Sequence, residues 1–264
     1  MHGAISDPHV LERAAHTRRT RAEFRNEHGV AADCTIMHHD PDAVIMDELT
    51  ATRESLHQLS EHVLAAARFR ADGLIGLRVV PGGIATRPFG PHGRTAAVIG
   101  TELIVSDSTG THVQDISTLA EAATALGIEP GGPAQVYHLS TPCDVDAPLR
   151  LSHLAAANLT AWFNLADAAL RQFADAHADD APSTITLWPE HFDVGLAMAG
   201  CNYGASLGDA GRPEPYLYVG PHDAAKRVGT DPYWNEAYGT AVSWREVDDV
   251  VAAVAFFEAG RSCL

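Results

Sequence analysis

The chain has 264 residues, of which 46% are hydrophobic and 20% charged, enough to bury a sizeable core without disulfides or metal. Lys+Arg total 18 against 34 Asp+Glu, a formal net charge of -16 that repels nucleic acid and anionic lipid at long range and excludes a nucleic-acid module. Cys34, Cys143, Cys201 and Cys263 form no CxxC arrangement, and the apolar run 250–257 is too short to span a bilayer, so the expectation is a cytoplasmic protein with separate thiols and no membrane partner.

Residues 1–47 are rich in Arg, His and Asp, including five Arg between Arg13 and Arg25, and show little periodicity. They are expected to be a peripheral extension, dispensable for folding. A first α+β half is expected over 48–127. Leu56, Leu59, Val63 and Ala66 recur at helical spacing. "GLIGLRVVPGGIATRPFG" reads as a β-hairpin with Pro81-Gly82-Gly83 as its turn, and "TAAVIGTELIVSD" as a second hairpin turning near Gly100. "STGTHVQDI" continues the meander. Thr118 and Glu121 then predict a capping box for a short helix, which Gly127 ends.

A Pro/Gly-rich connection occupies 128–150, with a strand expected at 134–139. The second α+β half, 151–264, starts with a long helix capped by Ser152, with Leu154, Trp162, Leu165, Ala169 and Phe173 on one apolar face. Strands are expected at 184–188, 194–199, 202–207, 215–219 and 240–244. Ser243 and Glu246 predict a second capping box. A last helix to Phe257 would turn Val247, Val250, Val251, Val254 and Phe257 inward. Runs of strands followed by helices favour antiparallel sheets. The order helix, β-meander, helix occurs twice, so the expected fold is α+β, with two pseudo-repeated halves packed as one unit.

"GLIGLRVVPGGIATRPFG", "LWPEHFD", "NYGASLGD" and "EPYLYVGP" resemble segments of a bacterial domain-of-unknown-function family frequent in high-GC bacteria. The resemblance spans about residues 50 to 260, and "WPEHFD" and "EPYLYVGP" are its most specific parts. It implies a cytoplasmic α+β fold and no particular chemistry.

Chemistry-bearing residues concentrate in the second half. In "WPEHFD", an extended chain would put His191 and Asp193 on one face, with Glu190 and Phe192 on the other. A His beside a carboxylate serves as general base or metal ligand, and equally as a buried polar brace. In "EPYLYVG", alternation turns Leu217 and Val219 inward, and Glu214, Tyr216 and Tyr218 to a cleft wall suited to a polar or cationic small molecule. In "CNYGASLGD", Asn202, Gly204, Ser206 and Gly208 share a face that could floor the cleft, with Trp234 on an aromatic loop able to close over it.

Gly204-Ala205-Ser206-Leu207-Gly208 matches the nucleophile-elbow pattern, but that pattern needs a following helix, and "DAGRPEPYLYVG" is rich in Gly and Pro. His57 pairs with Glu61 at helical spacing on the surface. His62 lies at the inner boundary of its helix, within possible reach of "WPEHFD" across the sheet.

The functional expectation is a small-molecule site. Should it be catalytic, it would be a hydrolase or general acid/base site: Asp193 would orient His191 as base, Glu214 would act as acid, and Glu190, Asn202, Ser206, Tyr216, Tyr218 and Trp234 would hold substrate. The alternative is a non-catalytic ligand-binding or protein-interaction domain. No metal-ligand signature is assigned, no cofactor is named, and the absence of either common nucleotide-binding glycine loop argues against NAD(P) and ATP. The sequence does not indicate an oligomeric state. Trp188 and Phe192 are both expected to be buried.

Overall fold

A computed structural model describes residues 41–223, 225 and 233–263. Residues 1–40 of the expected extension lie outside the described residues. The boundary expected at 47 falls inside a helix, because α1 (Pro41–Leu59) starts earlier. Proline is tolerated there since its missing N–H has no partner in a first helical turn. A π-helical turn, Ser60–Ala65, follows with all six residues buried. α2 (Ala66–Asp72) continues the same rod and ends at Gly73, whose φ of 71° fits the left-handed stop that glycine allows.

Ten antiparallel strands then form one continuous sheet rather than separate sheets. They are β1 (Leu77–Val80), β2 (Gly83–Thr86), β3 (Thr95–Ile99), β4 (Glu102–Asp107) and β5 (Gly110–Asp115), then β6 (Thr186–Trp188), β7 (Asp193–Met198), β8 (Cys201–Ser206), β9 (Tyr216–Pro221) and β10 (Thr240–Ser243). Their order is β10-β9-β8-β7-β6-β1-β2-β3-β4-β5, so two meanders meet through their first strands, with Leu77 opposite Leu187. Between the meanders come α3 (Leu119–Ala125) and α4 (His153–Ala176), and α5 (Val250–Ser262) closes the described chain. Thr118 caps α3 and Ser152 caps α4 through their side-chain oxygens.

Alternation in each strand decides which face is buried. Val79, Ile84, Val98 and Leu103 align across β1–β4, and Val194, Ala205 and Leu217 across β7–β9. All are buried. α4 lies against β1, β2, β7 and β8 and so joins the two meanders over one core. Phe173 of α4, Tyr203 of β8 and Phe257 of α5 form a ring cluster, with centroids 4.8 Å apart for Phe173–Tyr203 and 5.6 Å for Phe173–Phe257. Truncating such a ring costs about 3–5 kcal/mol.

Several local expectations are corrected. Residues 134–137 form turns, not a strand, because the connection is held by side chains of the π-helical turn instead of a ladder. The Ser243–Glu246 capping box exists but caps only a single 3-10 turn, Trp244–Glu246. α5 has its own cap, the Asp249 carboxylate accepting from the Ala252 N–H at 2.8 Å. Leu154 and Val251 sit in the first turns of α4 and α5 and are exposed. No helix among the described residues is long and apolar enough to cross a membrane.

Candidate functional site

The "WPEHFD" stretch is not extended. β6 and β7 pair with Trp188 opposite Asp193, so residues 189–192 form the connecting turn. Pro189 cannot donate to a ladder. The chain folds back instead, with Phe192 donating its N–H to the Trp188 carbonyl at 2.8 Å and adopting a φ of 50°. This left-handed residue inverts the expected parity. Phe192 is 3% exposed, wedged edge-on against Phe163 and stacked on His57 at 5.0 Å. Trp188 is 40% exposed, against the expectation of burial, because it shares the open face of the sheet with Asp193. His191 is exposed on the turn and forms no hydrogen bond with Asp193 among the described contacts, so the expected base–orienter pair is not assembled.

Asp193 instead works with β9. Trp188, Asp193, Ser206 and Tyr216 form one row across β6–β9, and Thr186, Gly195, Gly204 and Tyr218 the next. Tyr218 donates its phenol proton to Asp193 Oδ2 in a short hydrogen bond. Glycine is required beneath that ring. A Cβ on Gly204 would lie 2.5 Å from Tyr218 Cζ, and one on Gly195 would lie 3.1 Å from its Oη. The residue Asp193 is half-buried, yet its Oδ1 is fully enclosed and has no hydrogen-bond partner. Burial lifts the Asp193 carboxyl to about 6, against the opposing effects of the Tyr218 hydrogen bond and His191. Burial, with the Asp193 charge, also raises the Tyr218 phenol well above its ordinary range.

Other elements complete a cleft of about 1020 Å³ on this face. α1 supplies Arg53 and His57. The His57 Nε2–H donates to the Pro189 carbonyl at 2.8 Å, which leaves Nδ1 as an acceptor. Burial pushes the His57 pKa down, opposed by Glu61. Arg53 donates to the Pro213 carbonyl at 2.9 Å. The Tyr216 hydroxyl donates to Asp209 Oδ2 at 2.7 Å, and Asp209 in turn accepts from the N–H groups of Gly211 and Arg212. Ser206 Oγ accepts from the Gly208 N–H at 3.0 Å. Ser206 ends β8 and is followed by a loop, so the nucleophile-elbow geometry is absent.

The rim, Ser140 and Thr141, is held by two side chains of the π-helical turn. Glu61 accepts from the N–H groups of Ser140 and Thr141, both at 2.9 Å, and from the Thr141 hydroxyl at 2.5 Å. His62 Nδ1 accepts from the Gly132 N–H at 3.0 Å, so its proton is on Nε2 and faces the Thr141 carbonyl at 3.1 Å. Glu61 and His62 are wholly buried. Glu61 is therefore not a surface partner of His57, and His62 braces the connection 132–141 rather than reaching His191. π-Helical turns recur at functional sites, where the extra residue redirects side chains. Ser140 Oγ also donates to the Glu190 carbonyl at 2.6 Å, which ties rim and turn together.

Of the residues singled out by sequence, Glu190, His191, Asp193, Asn202, Ser206, Tyr216 and Tyr218 line this one cleft. Glu214 and Trp234 do not. Glu214 precedes β9 and faces Arg245, with which it pairs at 3.1 Å. Trp234 packs at the core's edge with its ring 5.1 Å from Tyr233. Sequence reasoning missed Arg53, Asp209 and the rim. Arg53 and His57 do lie four residues apart on α1, but that spacing does not say which sheet face the helix meets. Among the described residues no group of three or more His, Cys, Asp or Glu side chains is placed to hold a metal ion. Neither a scan against family models, nor a search of curated proteins, nor a search of solved structures returns a match for this chain.

Proposed function

We propose that this protein binds a polar small molecule in the cleft over β7–β9, and that the ligand presents hydrogen-bond donors to it. One observation carries the reading: Asp193 Oδ1 is enclosed at the cleft wall without a partner, although leaving a buried acceptor unpaired costs about 1–3 kcal/mol. A ligand donor would satisfy it. The acceptor at His57 Nδ1 and the carboxylate of Glu190 add to the same demand. Catalysis by a His191–Asp193 relay is not part of the proposal, since no hydrogen bond joins the two.

The test is a fragment screen by ligand-observed NMR on the full chain, repeated on Asn202→Trp. Asn202 is exposed and lines the cleft, so the larger ring should fill the site without disturbing the core. Binders lost in the variant support the reading. No binders, or binders indifferent to Asn202→Trp, would sink it.

Two settings belong to the same proposal. The protein works in the cytoplasm, a reading supported by Cys143, an exposed thiol that forms no disulfide among the described residues. Its two halves are related copies, supported by the order helix, five strands, helix in each and by the junction of first strands β1 and β6. Superposition of β1–β5 on β6–β10 tests this: strands that match only out of order would remove it.

A further inference from the structure

Beside the main cleft lies a smaller cavity of about 290 Å³. The two share the wall made by Glu190, His191, Asp193, Asn202 and Tyr218, but only the smaller one is lined by Trp188. We propose that this cavity is a subsite for an organic ammonium group, a primary alkylamine in its charged form. The proposal rests on the reading of the cleft as a ligand site and names the chemistry of one end of that ligand.

Four features converge. Two carboxylate oxygens at the shared wall, Asp193 Oδ1 and Glu190 Oε2, are enclosed and have no hydrogen-bond partner. They come from different parts of the fold, one from β7 and one from the turn before it. An ammonium carries three donors and no acceptor, so it suits a wall that presents two acceptors without donors. A neutral hydroxyl has one donor and would leave one oxygen unmet. The charge also matters, because charge-assisted hydrogen bonds are roughly twice as strong as neutral ones.

The second feature is Trp188. It is a large ring held 40% exposed beside Asp193, where a core role would have buried it. The third is Tyr218, which stands across the bare backbone of Gly195 and Gly204 from β6. Two aromatic residues thus flank the carboxylates. Aromatic faces attract cations, most strongly for Trp. The fourth is the chain's net charge of -16, which draws cations towards the surface and disfavours an anionic occupant.

The arrangement is also selective by shape. Tyr218 donates its own proton to Asp193 Oδ2, which already has this partner while Oδ1 has none. The unpartnered Oδ1 and the Trp188 ring belong to the lining of the same cavity.

Three isosteric probes test the idea: n-butylammonium, 1-butanol and butyrate, titrated near pH 7.5 against the intrinsic tryptophan fluorescence of the full chain. Saturable quenching is expected with butylammonium alone. Trp188→Phe should abolish the signal while NMR still reports binding, which assigns the quenched ring. Asp193→Asn and Glu190→Gln should each weaken butylammonium about tenfold or more, the loss expected for one charge-assisted hydrogen bond. Glu190→Gln serves as the control if Asp193→Asn alters the fold. If 1-butanol binds as well as butylammonium, the cationic class is wrong while the cleft still binds ligand. If all three probes fail although fragments are still lost in Asn202→Trp, the ammonium assignment is wrong and the cleft still binds ligand.

Discussion

Asp193→Asn should change how stability depends on pH, and the size follows from the site. Burial raises the Asp193 carboxyl from 3.8 to about 6 in the folded chain. At about 1.4 kcal/mol per unit, that difference corresponds to about 3 kcal/mol. The folded pKa lies above the unfolded one, so the folded state holds this proton more tightly. Well below the unfolded value of 3.8 both states are protonated and the carboxyl is no burden. As pH rises through 6 the folded chain must carry an enclosed carboxylate, and that stability is lost. Asparagine is never ionised and keeps an acceptor for the Tyr218 hydroxyl. Its amide would place donors where Oδ1 lacked a partner, a pH-independent penalty of about 1–3 kcal/mol. The stability difference, variant minus native, should therefore climb by about 2.4 kcal/mol between pH 4 and pH 7.5. Urea unfolding of both proteins across that range measures it. Titrations remote from Asp193 are common to the two chains and cancel. A difference that stays flat with pH would refute the burial argument at Asp193.

Phe192→Ala should lower stability by about 3–5 kcal/mol, whereas Trp188→Ala should change it by about 1 kcal/mol or less, since only the first ring is in the core; equal losses in thermal or urea unfolding would overturn the turn geometry. Glu61→Ala strips partners from two backbone N–H groups and a hydroxyl, so a loss of about 3 kcal/mol or more is expected, with faster hydrogen exchange at Ser140 and Thr141. Unchanged exchange there would show that the rim is held by something else. Gly204→Ala should destabilise by about 1–3 kcal/mol through overlap with Tyr218 and the Val194 carbonyl. A neutral result would mean that the Tyr218 ring does not lie over Gly204.

Periodicity and punctuation are local, and what they specify was legible. The hairpin turn at Pro81-Gly82 and the caps at Thr118 and Ser152 follow from neighbours a few residues apart. So do the two antiparallel meanders, and the shared face of Asn202, Gly204, Ser206, Tyr216 and Tyr218. "WPEHFD" failed for the same reason. Two-residue alternation holds only while a strand continues, and the turn that puts one residue at φ 50° buries Phe192 as expected but leaves Trp188 exposed. Whether Pro189 kinks a strand or ends one depends on the pocket that Phe163 and His57 offer to Phe192, and those residues come from α4 and α1.

The cleft itself belongs to the tertiary structure. Arg53, His57 and the Ser140–Thr141 rim reach it from chain segments about 50 to 140 residues from β7 in sequence, carried by helix packing and by the buried Glu61 and His62. Sequence determined which side chains share a strand face. Only packing decided which of those faces was left open, because a face is buried or exposed according to what the rest of the chain brings against it.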